Sequence, residues 1–125
     1  MRLRGANLSS IHAEHLIAED ADLHDANLEG ANLRKARLCG ADLSGVNLKG
    51  ANVTRGNFHN SDLSGADLQD ADLAYAFLSC ADITNANLKG AKARDATMYE
   101  VKWELDRPFT TDDPIRKMRG EAIRA

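Results

Sequence analysis

Ala21-Asp22-Leu23-His24-Asp25-Ala26-Asn27-Leu28-Glu29-Gly30-Ala31-Asn32-Leu33-Arg34-Lys35 states one motif, Ala-(Asp/Asn)-Leu-x-x, three times, and the beat then continues in phase to Glu100. Counting from Leu23 in steps of five gives sixteen central positions, of which eleven are Leu; the others are Val53, Phe58, Ile83, Ala93 and Met98. Two residues before each centre stands Ala, except at Val46, Gly56 and Ser61. Asp or Asn lies between them in twelve of the sixteen registers, the exceptions being Arg37, Phe77, Lys92 and Thr97.

No single regular element buries such a pattern. In an α-helix, residues five apart are rotated by roughly 140° and share no face. In a flat strand, an odd period sends successive Leu residues to opposite sides. The Ala and Leu of one unit, however, are two apart and share a side. If the chain turns after each unit, all pairs can point to one axis, and four turns close a coil of twenty residues. Stacked coils then pair backbone to backbone at about 4.8 Å. Such a strict internal period is the signature of a solenoid. A disordered low-complexity segment has no reason to keep the Leu spacing.

The runs beginning at Ala21, Ala26, Ala31, Ala41, Ala66 and Ala86 resemble the pentapeptide-repeat family, a likeness that strictly covers about two thirds of the chain. The resemblance implies an all-β solenoid, a right-handed quadrilateral β-helix, here of about five coils. Residues 1–103 are expected to form it and residues 104–125 a C-terminal cap and helix. Residues 9–20 leave the template while keeping its phase, and Ser9 or Ser10 can cap a helix. A helical turn or bulged coil is therefore expected over residues 10–19.

The chain has 125 residues, 43% hydrophobic and 5% aromatic, with net charge −3. That suits one domain with a narrow interior. No apolar run is long enough to span a membrane, and Met1-Arg2-Leu3-Arg4 does not lead into a signal-like hydrophobic region, so a cytoplasmic location is expected. Cys39 and Cys80 fall two coils apart, about 10 Å, too far for a disulfide; free thiols are expected. Asn7-Leu8-Ser9 and Asn52-Val53-Thr54 match the glycosylation sequon, but the repeat generates that pattern by itself.

A solenoid end exposes its core and an unpaired edge, so something must cover it. Trp103, Leu105 and Phe109 suit a plug. Asp112-Asp113-Pro114 reads as a helix start, followed by an apolar stripe of Ile115, Met118, Ala122 and Ile123. So short a helix must dock, either on its own solenoid or on a second chain in a homodimer.

Taken modulo twenty, the sequence becomes four faces. The first aligns Asp22, Asp42, Asp62 and Asp82 in one outward ladder, whose neighbours repel by roughly 1 kcal/mol in water. The ladder could attract a basic partner or mimic phosphates, although a charge run is more often simply solvated. The second face, with Glu29, Lys49, Gln69 and Lys89, is mixed. Around the third lie Arg34, Lys35, Arg55, Lys92 and Arg94, with Arg37 beginning the fourth; this is too sparse for direct nucleic-acid binding. The fourth face departs most from template, reading Arg37, Cys39, Asn57, His59, Phe77, Ser79, Thr97 and Tyr99, with Tyr75 at its corner. Phe77 stands where a polar residue is expected. With Tyr75 and Tyr99 it makes a candidate protein contact, unless the C-terminal segment folds back over it.

No catalytic, cofactor or metal constellation emerges. His12, His15 and Glu14 have helix-compatible metal spacing without an ordered ligand set. Cys39 and His59 resemble a thiol and its base, without an orienting third group or a pocket. The expected function is a non-enzymatic scaffold that binds a protein partner. The alternative comes from the resemblance: some pentapeptide-repeat proteins mimic B-form DNA and act on type II topoisomerases such as gyrase. The Asp ladder would carry that activity here. Against it stand the nearly balanced charge and a rod of only about 25 Å, which a dimer through the C-terminal helix would double.

Overall fold

The computed structural model of the chain describes residues 1–103. Each pentapeptide contributes a one-residue bridge at its second position and a tight turn over its last two. Seventeen parallel bridges join residues twenty apart, from Arg2↔Asp22 to Asp82↔Lys102. They form four columns, so each coil has four faces. The coils are residues 1–20, 21–40, 41–60, 61–80 and 81–100.

One unit shows how the backbone is satisfied. In Ala41–Gly45, the Ala41 N–H closes the preceding turn on the Leu38 carbonyl at 3.1 Å. Asp42 donates back one coil to the Ala21 carbonyl at 2.9 Å, while Leu43 and Gly45 donate forward to the Asp62 and Ser64 carbonyls at 2.7 and 2.9 Å. The remaining donor, Ser44 N–H, reaches the Asp42 carboxylate at 3.0 Å. All five N–H groups thus find acceptors, as buried or half-buried backbone requires. Each turn places its fifth residue at positive φ, in every register from Gly5 to Glu100.

The first and third positions point inward. Their Ala and Leu side chains form a continuous core, nearly all under 5% exposed between Ala18 and Leu88. Fully burying a Leu contributes about 2 kcal/mol before chain entropy is subtracted, so the column holds together coils that could not stand singly. Ser61 replaces an inward Ala, and its hydroxyl is buried without a partner among the described residues. Trp103 is half-buried and packs against the end of the core. The C-terminal cap and helix expected from Phe109, Ile115, Met118 and Ile123 lie outside the described residues.

The helical turn expected over residues 10–19 is absent, and residues 9–20 are no irregular insertion. His12 bridges to Asn32 and Ile17 to Arg37, in the same register as every other unit. The template is kept in shape and reversed in size. Ile11 and Leu16 take the first position and Ala13 and Ala18 the centre, so each pair still supplies one large and one small inward residue. The fit is incomplete. An apolar cavity of about 90 Å³ remains at this end, lined by Leu3, Leu8, Ile11, Ala13, Leu16 and the four central Leu residues of the next coil.

Gly56 and Phe58 make a second compensation. A Cβ on Gly56 would stand 2.8 Å from Phe58 Cε2, so the missing methyl is what admits the ring. Gly56→Ala is expected to destabilise the fold by about 1–3 kcal/mol through overpacking. Adding Phe58→Leu, which restores the Ala–Leu template, should recover most of that loss. Urea denaturation of both single variants and the double variant checks this; purely additive losses would contradict the pairing.

Candidate functional site

Every Asp or Asn at the second position of a unit accepts a hydrogen bond at Oδ1 from the backbone N–H two residues on, as at Asn27 to Glu29 (3.0 Å), Asp62 to Ser64 (2.9 Å) and Asp72 to Ala74 (3.1 Å). This Asx bond supplies the one acceptor that coil stacking leaves missing. Its consequence can be followed residue by residue from Ala21 to Cys80. Every backbone N–H in that span has a backbone or Asx acceptor except two, those of Cys39 and Ser79, which have none among the described residues. They follow Arg37 and Phe77, the only two residues in the span that replace Asp or Asn. Both lie in the fourth column, Ile17–Arg37–Asn57–Phe77–Thr97. On the other faces, departures from Asx occur only in the first coil and from Lys92 onward.

The fourth face is thus the place where the middle of the rod forgoes an internal bond. What stands there instead is outward and apolar or charged. Phe77 is 50% exposed and Ile17 63%. Arg37 reaches back one coil to Glu19 at 2.5 Å. Tyr75 shares the coil and corner of Phe77, and its ring lies under the Arg55 guanidinium at 4.7 Å, a cation–π contact. Tyr99, at 71% exposure, lies one coil further on. Ile17 is a member of this face that sequence reasoning missed, hidden by the expectation of a helical turn or bulged coil over residues 10–19; its phase, twenty before Arg37, was the available signal.

The four ladder residues do stack in one column, bridged 22↔42↔62↔82. Their carboxylates are engaged locally. Asp42 and Asp62 each accept the N–H and the hydroxyl of Ser44 and Ser64, and Asp22 and Asp82 accept the N–H groups of His24 and Thr84. Cations close both ends, Arg4 against Asp22 at 3.9 Å and Lys102 against Asp82 at 3.8 Å. The Ser44 hydroxyl holds the Asp42 carboxyl below its ordinary value. Burial opposes ionisation of Asp82, but the bonds from Thr84 and the charge of Lys102 outweigh it, and its pKa too is lowered.

Beside the ladder, His24 joins Ser44 (Nδ1 to Oγ, 2.7 Å) and Asp25 (Nε2 to Oδ2, 2.9 Å). The residue types are those of an acyl-transfer triad, but the hydroxyl is committed elsewhere. The Ser44 hydroxyl donates to Asp42 Oδ1 at 2.5 Å, so its proton is committed to that carboxylate rather than to the imidazole. Glu14 accepts from the Asn32 amide at 2.6 Å. Cys39 and His59 occupy successive coils of the fourth face, as expected from their register, and the thiols of Cys39 and Cys80 are not disulfide-bonded. Among the described residues, no group of three His, Cys, Asp or Glu is placed to hold a metal ion, and no helix is long and apolar enough to cross a membrane.

Twenty-residue coils stacked through parallel bridges, an Ala–Leu interior and Asx-capped corners define a β-solenoid built of five-residue units. The family model for pentapeptide repeats matches residues 21–60 and 61–98 in eight copies, and the chain belongs to that family. Among solved structures, it is similar to a pentapeptide repeat protein, Rfr23, from the cyanobacterium Cyanothece 51142, at 26% identity and a TM-score of 0.73, over 74% of this chain. It is also similar in fold to QnrB1, a plasmid-mediated fluoroquinolone resistance protein, at 20% identity and a TM-score of 0.52, over 94% of this chain. The chain spans 64% of the first structure's length and 65% of the second's, less than two thirds of each. No curated protein matches it.

The acid dependence of stability tests the Asx role. A depressed folded pKa means that the Asp42 contribution is fully present above the unfolded value near 3.8 and is lost as pH falls through the lower folded value. Asp42→Asn keeps the acceptor for Ser44 N–H and cannot take up that proton. Its urea midpoint should therefore decline less steeply than wild type from about pH 4 downward. Parallel declines would contradict the assignment.

Proposed function

We propose that this chain is a non-enzymatic scaffold that binds a protein partner through the fourth face of its solenoid. One observation carries the reading. In the three middle coils, the only two residues that give up the Asx bond are Arg37 and Phe77, and both stand in that column. An open backbone donor costs about 1 kcal/mol or more when poorly solvated, and an outward Phe gains nothing from the interior. Selection for the fold alone favours Asn at both sites. An aromatic and an Arg are also the residue types that dominate protein-contact hot spots.

The acidic ladder supports a second reading, mimicry of the DNA backbone toward a type II topoisomerase such as gyrase. The likeness to QnrB1, at 20% identity, bears on fold alone. The ladder carboxylates have an internal role as corner acceptors, and cations close the column at both ends. The mimicry reading therefore ranks second.

Phe77→Asn separates function from fold. The substitution restores the template and supplies an acceptor for Ser79 N–H, so stability should be unchanged or raised by up to about 1 kcal/mol. A partner captured from native extract by the wild type should be lost or weakened at least tenfold. Full retention of that partner by a stably folded Phe77→Asn protein would reject the face.

A further inference from the structure

The corner between the third and fourth faces carries His15, Lys35, Arg55, Tyr75 and Asp95 in successive coils, all at φ between 56° and 61°. Each of the other three corners holds at least one Gly in its column, as Gly45, Gly50 and Gly40 illustrate. A left-handed conformation at a side chain larger than Gly costs about 1–2 kcal/mol, less for Asn and Asp, which bond locally. Here the middle three coils place Lys, Arg and Tyr in it. Those three side chains stand immediately beside the column of Arg37 and Phe77.

Through the middle three coils the chemistry of this strip is one-sided. Among the described residues, neither Lys35 nor Arg55 has a carboxylate partner, and Arg55 lies instead over the Tyr75 ring. The open N–H groups of Cys39 and Ser79 add two further donors on the same face. They stand two coils apart, about 10 Å. The cations Lys35 and Arg55 and the Cys39 donor thus lie in the second and third coils, and the aromatic pair Tyr75 and Phe77, with the Ser79 donor, in the fourth. Tyr75 is 39% exposed, so its ring keeps an accessible portion.

We infer that the strip binds an acidic protein segment, one that presents carboxylates to Lys35 and Arg55 and a large apolar side chain to Phe77. This deepens the proposed function and rests on the fourth face being the contact. Charge complementarity selects the occupant. A partner bringing acceptors meets donors along three coils, and desolvated Arg–carboxylate pairs are among the strongest polar contacts. A nucleic acid would meet Glu19, Asp20, Asp95 and Glu100 on either side of only a few cations, without room for a continuous phosphate track.

The test is selection from a random peptide display library on the immobilised full chain. It is followed by binding of the enriched peptides to Phe77→Asn, to Lys35→Glu/Arg55→Glu, and to the milder Lys35→Gln/Arg55→Gln. The enriched peptides should carry at least two carboxylates near an aromatic or aliphatic residue. Their affinity should fall at least tenfold in Phe77→Asn and in both charge variants, with the Glu pair worse than the Gln pair. Neutral or basic peptides that are lost in Phe77→Asn and kept by both charge variants would overturn the acidic chemistry while leaving the fourth face as the contact. Peptides indifferent to Phe77→Asn, or no enrichment at all, would overturn both. A single-stranded oligonucleotide competing off the peptides at lower concentration would assign the strip to nucleic acid and overturn the inference.

Discussion

Everything in this molecule depends on the backbone of one coil meeting the backbone of the next while Ala and Leu fill the narrow space between four walls. Two of the five N–H groups in a unit donate forward, one donates back and one closes a turn, so the coil period is set at twenty by hydrogen bonding as much as by packing. The fifth depends on a side chain. That dependence explains why the second position of the motif is Asp or Asn rather than any polar residue, since both present Oδ1 at the right reach. The interior tolerates exchange of size between the first and third positions. Leu16 with Ala18 and Gly56 with Phe58 both depart from the Ala–Leu order while still pointing one large and one small side group inward.

The architecture was legible because its signal is repeated: a spacing that recurs from Leu23 to Met98 leaves few foldings that bury it. The first coil was misread for a local reason. Ser9 or Ser10, with Ile11 and His15 or Leu16 on neighbouring turns, imitates a capped helix, while residues 11–20 hold the template with large and small residues exchanged. A rule that asks for Leu at the centre misses a coil that asks only for a filled pair. The four faces and their columns followed from the register, and the bridges reproduce them. The Asx role was less visible, because the repeat shows that Asp or Asn is wanted without showing which donor it serves. Arg55 over Tyr75, and His24 between Asp25 and Ser44, depend on side-chain reach across coils, which no spacing specifies.

Fold and function are written on different atoms here. The inward positions are nearly interchangeable among the faces, so they carry no information about a partner. The outward second position is constrained by the Asx bond on three faces through the middle of the rod and released on the fourth at Arg37 and Phe77, with Asn57 between them keeping it. That release turns an ordinary exposed aromatic into evidence. Phe77 marks a donor left open at Ser79 as well as a ring in solvent, and Arg37 repeats the combination two coils earlier. The neighbouring corner, with Lys35, Arg55 and Tyr75 held at positive φ, sets the same direction of preference against backbone comfort.

Amide hydrogen exchange resolved by residue tests the donor pattern most directly. Protection is expected at all positions from Ala21 to Cys80 apart from two, with Cys39 and Ser79 exchanging fastest in that span and the N–H groups two residues after each outward Asp or Asn protected alongside the interstrand ones. Rapid exchange at the second, third and fifth positions of the units, or protection of Cys39 and Ser79 equal to that of their neighbours, would contradict it.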